Sequence, residues 1–360
     1  MTALFDPFTI RDVTLPSRVW MAPMCQYSAP VTGEPVDWHV QHYGARATGG
    51  PGLILVEATG VSPEGRISHA DLGIWSDAQV AGHRRLTALM VEQGVVPGIQ
   101  LAHAGRKGGT AQEFAGGRVL TPEEGGWQVV APSAVAFDGT RPVPHALTTG
   151  EIAGVVADFA AAARRALDAG YQVIEVHAAH GYLLHEFLSP VSNVRDDEWG
   201  GSFEHRTRLV REVVAAVRAE IGPGLPLFVR VSATDWIEPA GWTADDTVRL
   251  APLLRDAGAD LIHVSTGGNV PDATIPIGPG YQVSFATRIR TETGVPTAAV
   301  GVITDPRQAE RIVAEGQADA VALGRQLLVD PFWPRRAAHE LGVKHPLPPQ
   351  YARGERALLA

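Results

Sequence analysis

Short apolar runs alternate with amphipathic stretches along this chain. The runs cover 19–22, 53–57, 96–101, 172–176, 226–231, 260–264, 297–300 and 319–323, and each reads as a buried strand. Between them, apolar residues recur at helical spacing over 36–48, 77–93, 149–169, 203–220, 243–257, 284–293 and 305–315, with one more helix after residue 330. In the 149–169 stretch, Ile152, Val155, Val156, Phe159, Ala163 and Leu167 share one face. Eight strands alternating with helices predict an α/β fold of the (β/α)8 TIM-barrel type.

Helix-start signals support this division. Ser76 and Gln79 have capping-box spacing, with Trp75 and Val80 placed as a hydrophobic staple, and Thr148 and Glu151 repeat the device with Leu147 and Ile152. Gly170 ends the second of these helices. Residues 103–147 interrupt the alternation with a Gly- and Pro-rich segment after strand three, on the catalytic side of a barrel. A connection this long suits an active-site loop or subdomain. The expected organisation is one barrel over 1–340, with 103–147 as its insertion. A Pro-rich, basic tail over 341–360 is placed to run over the surface or onto another subunit.

Composition narrows the function classes. With 45% apolar and 19% charged residues in 360, the chain suits a water-soluble protein with a large core. The net charge of −9 and the lack of a dense Lys/Arg run argue against nucleic acid as a partner. No signal-like N-terminus or long uncharged apolar stretch is present, so no membrane partner is expected. Cys25 is the only cysteine, which excludes an intrachain disulfide or a protein-ligated iron–sulfur cluster and suggests a cytoplasmic setting. Of 30 basic residues only Lys107 and Lys344 are lysines, and neither ends an apolar strand, so a Schiff-base aldolase is not expected.

Candidate chemistry gathers at the strand ends. VIEVHAAHGYLL, residues 173–184, delivers His177, His180 and Tyr182 at the exit of strand four, where a parallel barrel builds its active site. Strand one leads into Ala22, Pro23, Met24, Cys25 and Tyr27; strand two ends at Glu57 and Ala58; strand three ends at Gln100. Arg230 lies inside strand five and requires a partner, either a ligand acceptor or a structural pairing with Glu57 or Glu175. Gly267 and Gly268, Gly301, and Gly324 with Arg325 follow the last three strands, where backbone N–H groups can approach a phosphate. The alternative for the glycines is ordinary turn chemistry. His177-x-x-His180 is also a weak zinc pattern with Glu186 as a poor third ligand, and Cys25 is equally readable as a buried hydrophobe. No G-x-G-x-x-G after a strand and no P-loop is present.

These residues resemble the Old Yellow Enzyme family of FMN-dependent ene-reductases, in its thermophilic-like subclass, along almost the whole chain. LFDPFTIRDVTLPSRVWMAPMCQYSA is similar to the family's start, with Cys25 and Tyr27 marking the subclass. HAAHGYLLHEFLSPVSNVRDDEWGGSFEHR resembles its most specific stretch, departing at His205 where Asn is more frequent. AVGVITDP and ALGRQLLVDP resemble its phosphate-binding ends.

The resemblance implies tightly bound, non-covalent FMN, with NADPH or alternatively NADH as reductant and activated alkenes as substrates. It places the phosphate at Gly301, Gly324 and Arg325, the pyrimidine edge at Gln100 and Arg230, and the ring against Ala22, Pro23, Met24 and Ala58. Cys25 is expected to tune the flavin potential. His177 and His180 are expected to hold the substrate carbonyl oxygen, Tyr182 to protonate the α-carbon and Tyr27 to contact substrate. The same resemblance implies turnover of nicotinamide and alkene in alternation, no catalytic metal, and a homodimer or homotetramer in which Arg353 enters a neighbouring active site.

Overall fold

The computed structural model describes residues 2–354. Within them eight parallel strands close a barrel in chain order: β1 Val19–Met21, β2 Leu53–Gly60, β3 Val96–Ala102, β4 Val173–Ala178, β5 Leu227–Ser232, β6 Leu261–Ser265, β7 Thr297–Ala299 and β8 Ala320–Leu323. Every predicted strand is present, with ends displaced by no more than three residues. Surrounding helices are α1 Asp37–Gly49, α2 Val80–Glu92, α3 Thr149–Asp168, α4 Arg208–Ile221, α5 Ala244–Asp256, α6 Val283–Thr293, α7 Pro306–Ala314 and α8 Trp333–Glu340. No helix among the described residues is long and apolar enough to cross a membrane.

Local chemistry sets the helix ends. The Ser76 backbone N–H donates to Gln79 Oε1 at 2.9 Å, and Thr148 N–H donates to Glu151 Oε2 at 2.7 Å while Glu151 N–H returns a 3.3 Å bond to Thr148 Oγ1. The helix predicted over 203–220 is divided into Phe203–Arg206 and α4. At the break, Thr207 Oγ1 donates to the Glu204 carbonyl at 3.1 Å, a side-chain bond that competes with the helix ladder and bends it.

Alternation by two along the strands sorts the barrel interior into layers. Val173, Phe228 and Leu261 lie in the lower, apolar layer with Trp20, Leu53 and Leu55. Trp20 stacks on Phe228 with ring centroids 5.5 Å apart. An N-terminal hairpin, Phe8–Ile10 with Val13–Leu15, adds buried Ile10, Val13 and Leu15 to this cluster and closes the barrel floor. The apolar runs did not reveal this hairpin, because each of its strands has only three residues. Two positions further along the same strands stand Glu175, Arg230 and His263; two further again stand His177, Ser232 and Ser265. The opposite faces, such as Ile174, Val176, Val229 and Val264, pack outward in the larger core beneath the helices. Each such side chain contributes roughly 1.5–3 kcal/mol when fully buried.

The 103–147 connection crosses the top of the barrel in three short 3-10 turns and a two-residue strand pair, Val130–Ala131 with His145–Ala146. Arg106 fastens it: its backbone N–H donates to Glu186 Oε1 at 2.9 Å, and its guanidinium to the carbonyls of Asn269 at 2.8 Å and Val135 at 3.1 Å.

Candidate active site

A cavity of about 450 Å³ opens at the carboxyl ends of the strands. Seven predicted residues line it together: Ala22, Pro23, Met24 and Arg230 on one side, Gly301, Gly324 and Arg325 on the other. At Gly301, with φ of +123°, an added Cβ would lie 2.8 Å from Gln282 Nε2. At Gly324 an added Cβ would meet only Met24 Sδ, at 3.7 Å, so the missing side chain leaves space open toward the cavity. Arg325 is exposed at the rim and begins a helix of only five residues, which leaves the backbone N–H groups and the guanidinium as the main anion donors.

Arg230 is buried, and its Nε has no hydrogen-bond partner. Neither predicted carboxylate takes it. Glu57 accepts instead from Gln26 N–H at 2.5 Å and Tyr43 Oη at 3.0 Å, and Glu175 accepts from Gln100 Nε2 at 2.7 Å and bonds His263 Nδ1 at 2.8 Å. Burial pulls the guanidinium down from its ordinary range, while nearby Glu175 opposes that shift. An unpaired buried guanidinium beside an anion-suited glycine cradle fits a flavin mononucleotide at both of its ends.

At the exit of β4 the His177 ring lies edge-on to both His180, 5.1 Å away, and Tyr182, 5.0 Å away. Burial and the Arg230 charge hold both imidazoles well below the ordinary histidine range, so both are neutral. Ala179 N–H donates to His177 Nδ1 at 3.3 Å, which puts the ring proton on Nε2. His180 adopts φ of +61°, and its Nε2 is 2.7 Å from Ser265 Oγ, so its ring is tethered to β6 rather than free. Burial pushes the Tyr182 phenol up and keeps it protonated. Among the described residues no three His, Cys, Asp or Glu side chains are grouped as metal ligands.

Cys25 and Tyr27 border a neighbouring 570 Å³ hollow with Trp38 and Phe114, the last supplied by the 103–147 connection. Tyr27 also has positive φ, +49°, and its ring meets Phe114 edge-on at 6.4 Å. The Cys25 thiol is pushed up by burial and then by the carboxylates of Asp71 and Glu57. β2 bulges between Val56 and Ala58, which changes the direction of the backbone at Ala58 beside this cysteine. Arg353 stands apart from these groups in its own chain: it is exposed on the Pro349–Gly354 turn, in a groove with Phe332 and Tyr351.

Several participants escaped the reading of the sequence. Lys107 Nζ donates to the carbonyls of His180 and Gly268, both at 2.9 Å, and lies over the Tyr182 ring. Gln282 accepts from the hydroxyl of Thr266 at 2.7 Å and donates to the Val300 carbonyl at 3.0 Å, joining the exits of β6 and β7. His263 sits one layer below Ser265, bonded to Glu175, which the sequence suggested only as a partner for Arg230; period-two alternation could have identified this layer.

The geometry agrees with the relatives of the chain. Residues 3–343 match the NADH:flavin oxidoreductase / NADH oxidase family, whose members take FMN. The chain is 50% identical over 356 residues to an NADPH dehydrogenase of Geobacillus thermodenitrificans, covering 99% of each. Morphinone reductase superposes with a TM-score of 0.78 at 32% identity, covering 97% of this chain and 92% of that one. An Old Yellow Enzyme homologue from Zymomonas mobilis gives 0.77 at 30% identity, covering 95% and 94%. With the barrel, the glycine cradle and the unpaired arginine in place, the chain belongs to the NADH:flavin oxidoreductase / NADH oxidase family and is an FMN oxidoreductase of Old Yellow Enzyme type.

Proposed function

We propose that this protein is an ene-reductase: NADPH is the electron source, NADH an alternative one, and the C=C bond of an α,β-unsaturated carbonyl compound is reduced. Bound FMN supplies the hydride chemistry. Gly301, Gly324 and Arg325 hold its phosphate; Arg230 and Gln100 hold its pyrimidine edge; Ala22, Pro23, Met24 and Ala58 line its ring; and Cys25 adjusts its potential. Nicotinamide and alkene use one site in turn.

The observation that carries this reading is the cluster of two imidazoles, buried His177 and half-buried His180, with the Tyr182 phenol at the exit of β4, the His180 and Tyr182 rings within 5.1 Å of the His177 ring. His177 offers Nε2–H to the substrate carbonyl oxygen. Ser265 Oγ donates to Gln282 Oε1 at 3.3 Å, so its 2.7 Å contact with His180 Nε2 is satisfied by the ring N–H, and we assign the His180 proton to Nε2. When substrate binds, His180 turns this N–H from Ser265 to the carbonyl oxygen and becomes the second donor. Two neutral donors stabilise negative charge on the oxygen without transferring a proton to it. Polarisation makes the β-carbon receptive to hydride, and Tyr182 Oη then gives its proton to the α-carbon and is reprotonated from solvent. Tyr27 contacts the substrate from the Cys25 side. Arg353 completes the site of a neighbouring subunit in a homodimer or homotetramer.

Anaerobic stopped-flow kinetics tests the proposal. NADPH should bleach the flavin absorbance, and cyclohexenone should restore it with formation of cyclohexanone. Failure of cyclohexenone, maleimides and enals alike to restore the colour sinks the ene-reductase reading while leaving the flavoprotein assignment intact.

A further inference from the structure

We propose that Glu175 is a positioning residue for the flavin: its carboxylate fixes which end of the Gln100 amide faces the cofactor, and its charge offsets Arg230 without occupying it. This rests on the reading of Gln100 and Arg230 as FMN contacts.

Gln100 and Glu175 are register partners on β3 and β4, both fully inside the barrel. A carboxylate only accepts hydrogen bonds, so the 2.7 Å contact requires the amide NH₂ of Gln100 to point at Glu175. Gln100 Oε1 is thereby left as the acceptor for a ring N–H. The other oxygen of Glu175 is 2.8 Å from His263 Nδ1, reaching past β5 from β4 to β6. Burial keeps His263 below the ordinary histidine range, so the neutral ring donates Nδ1–H to the carboxylate. Both Glu175 oxygens are therefore engaged by groups other than Arg230, the strand neighbour of His263 on β5. The carboxylate supports the guanidinium charge from nearby while Arg230 Nε remains unpaired. A direct Glu175–Arg230 pair would have consumed that donor.

Dissociation constants for FMN, measured by ultrafiltration of the holoenzyme, test this in wild type, Glu175→Gln, Gln100→Ala and the double variant. Glu175→Gln should weaken FMN about tenfold, the size of one hydrogen bond to a charged group. The double variant should bind no worse than Gln100→Ala within roughly twofold, because the effect acts through that amide. The midpoint potential of FMN bound to Glu175→Gln should become more positive, since a buried negative charge opposing electron uptake is gone. Wild-type affinity in Glu175→Gln, additive penalties in the double variant, or a potential unchanged or more negative would overturn the inference. If Glu175→Gln does not accumulate folded, Glu175→Asp keeps the charge but withdraws an oxygen from one donor; weaker FMN supports the role and wild-type affinity removes it. Wild-type affinity in Gln100→Ala removes the reading of Gln100 as well, whereas weakening there with none in Glu175→Gln removes only Glu175.

Discussion

At the exits of β4 and β6 the barrel mouth is made of side chains, whereas at the exits of β7 and β8 it is made of backbone. His177 and His180 have their ring positions set by Ala179 N–H and Ser265 Oγ, and Lys107 holds the carbonyl of His180 from above. Gly301 and Gly324 work through missing side chains, with Arg325 at the rim. One half needs directed donors, whose value depends on orientation. On the proposed reading the other holds a phosphate by close backbone approach, for which the missing side chain of Gly324 leaves room. On that reading the difference separates catalysis from cofactor retention, so substitutions should divide the two functions cleanly.

The largest effect is expected from His177→Ala. Reoxidation of the reduced enzyme by cyclohexenone should slow about 1000-fold, as for loss of an oxyanion donor, with FMN retained in full. Tyr182→Phe should slow the same step about 100-fold in stopped-flow traces, again with normal flavin content. Gly324→Val should reverse the pattern: FMN binds about 30-fold more weakly through overpacking, while turnover per bound flavin stays near wild type. If Gly324→Val lowers turnover per flavin as strongly as His177→Ala, the two halves do not divide the work as described.

The smallest effect concerns the carboxyl behind the Cys25–Tyr27 turn. Burial pushes Glu57 up to about 8, far above its unfolded value. Folded protein therefore holds the extra proton between the unfolded carboxylate range and about pH 8, and this contribution to stability is lost as pH rises through that window. Glu57→Gln cannot ionise. Its melting temperature relative to wild type should rise between pH 5 and pH 8 in matched thermal scans, and a constant difference would contradict the assignment.

Much of this architecture was legible in local pattern. Strand runs and capping boxes need only neighbours in sequence, and the structure reproduces both. The strand-end residues were legible because polar groups at the ends of apolar strands have no structural excuse. What was not legible depends on contacts across the barrel. Glu175 meets His263 88 positions away, and Lys107 meets the Gly268 carbonyl 161 positions away. Arg230 invited pairing with Glu57 or Glu175, yet both carboxylates had nearer donors to satisfy. The three-residue strands of the floor hairpin are too short for periodicity to register, and the 203–220 helix broke where one threonine hydroxyl found a carbonyl.

The lysine that clasps the β4 and β6 exits also decides how the protein behaves toward amine reagents. Lys107 is half-buried with its nitrogen engaged by two carbonyls, whereas Lys344, the other lysine of the chain, is exposed. Acylating dyes or activated resins should therefore attach at Lys344 in preference to Lys107, leaving the barrel mouth unmodified. Slow appearance of label at Lys107 would then time the release of its nitrogen from the His180 and Gly268 carbonyls.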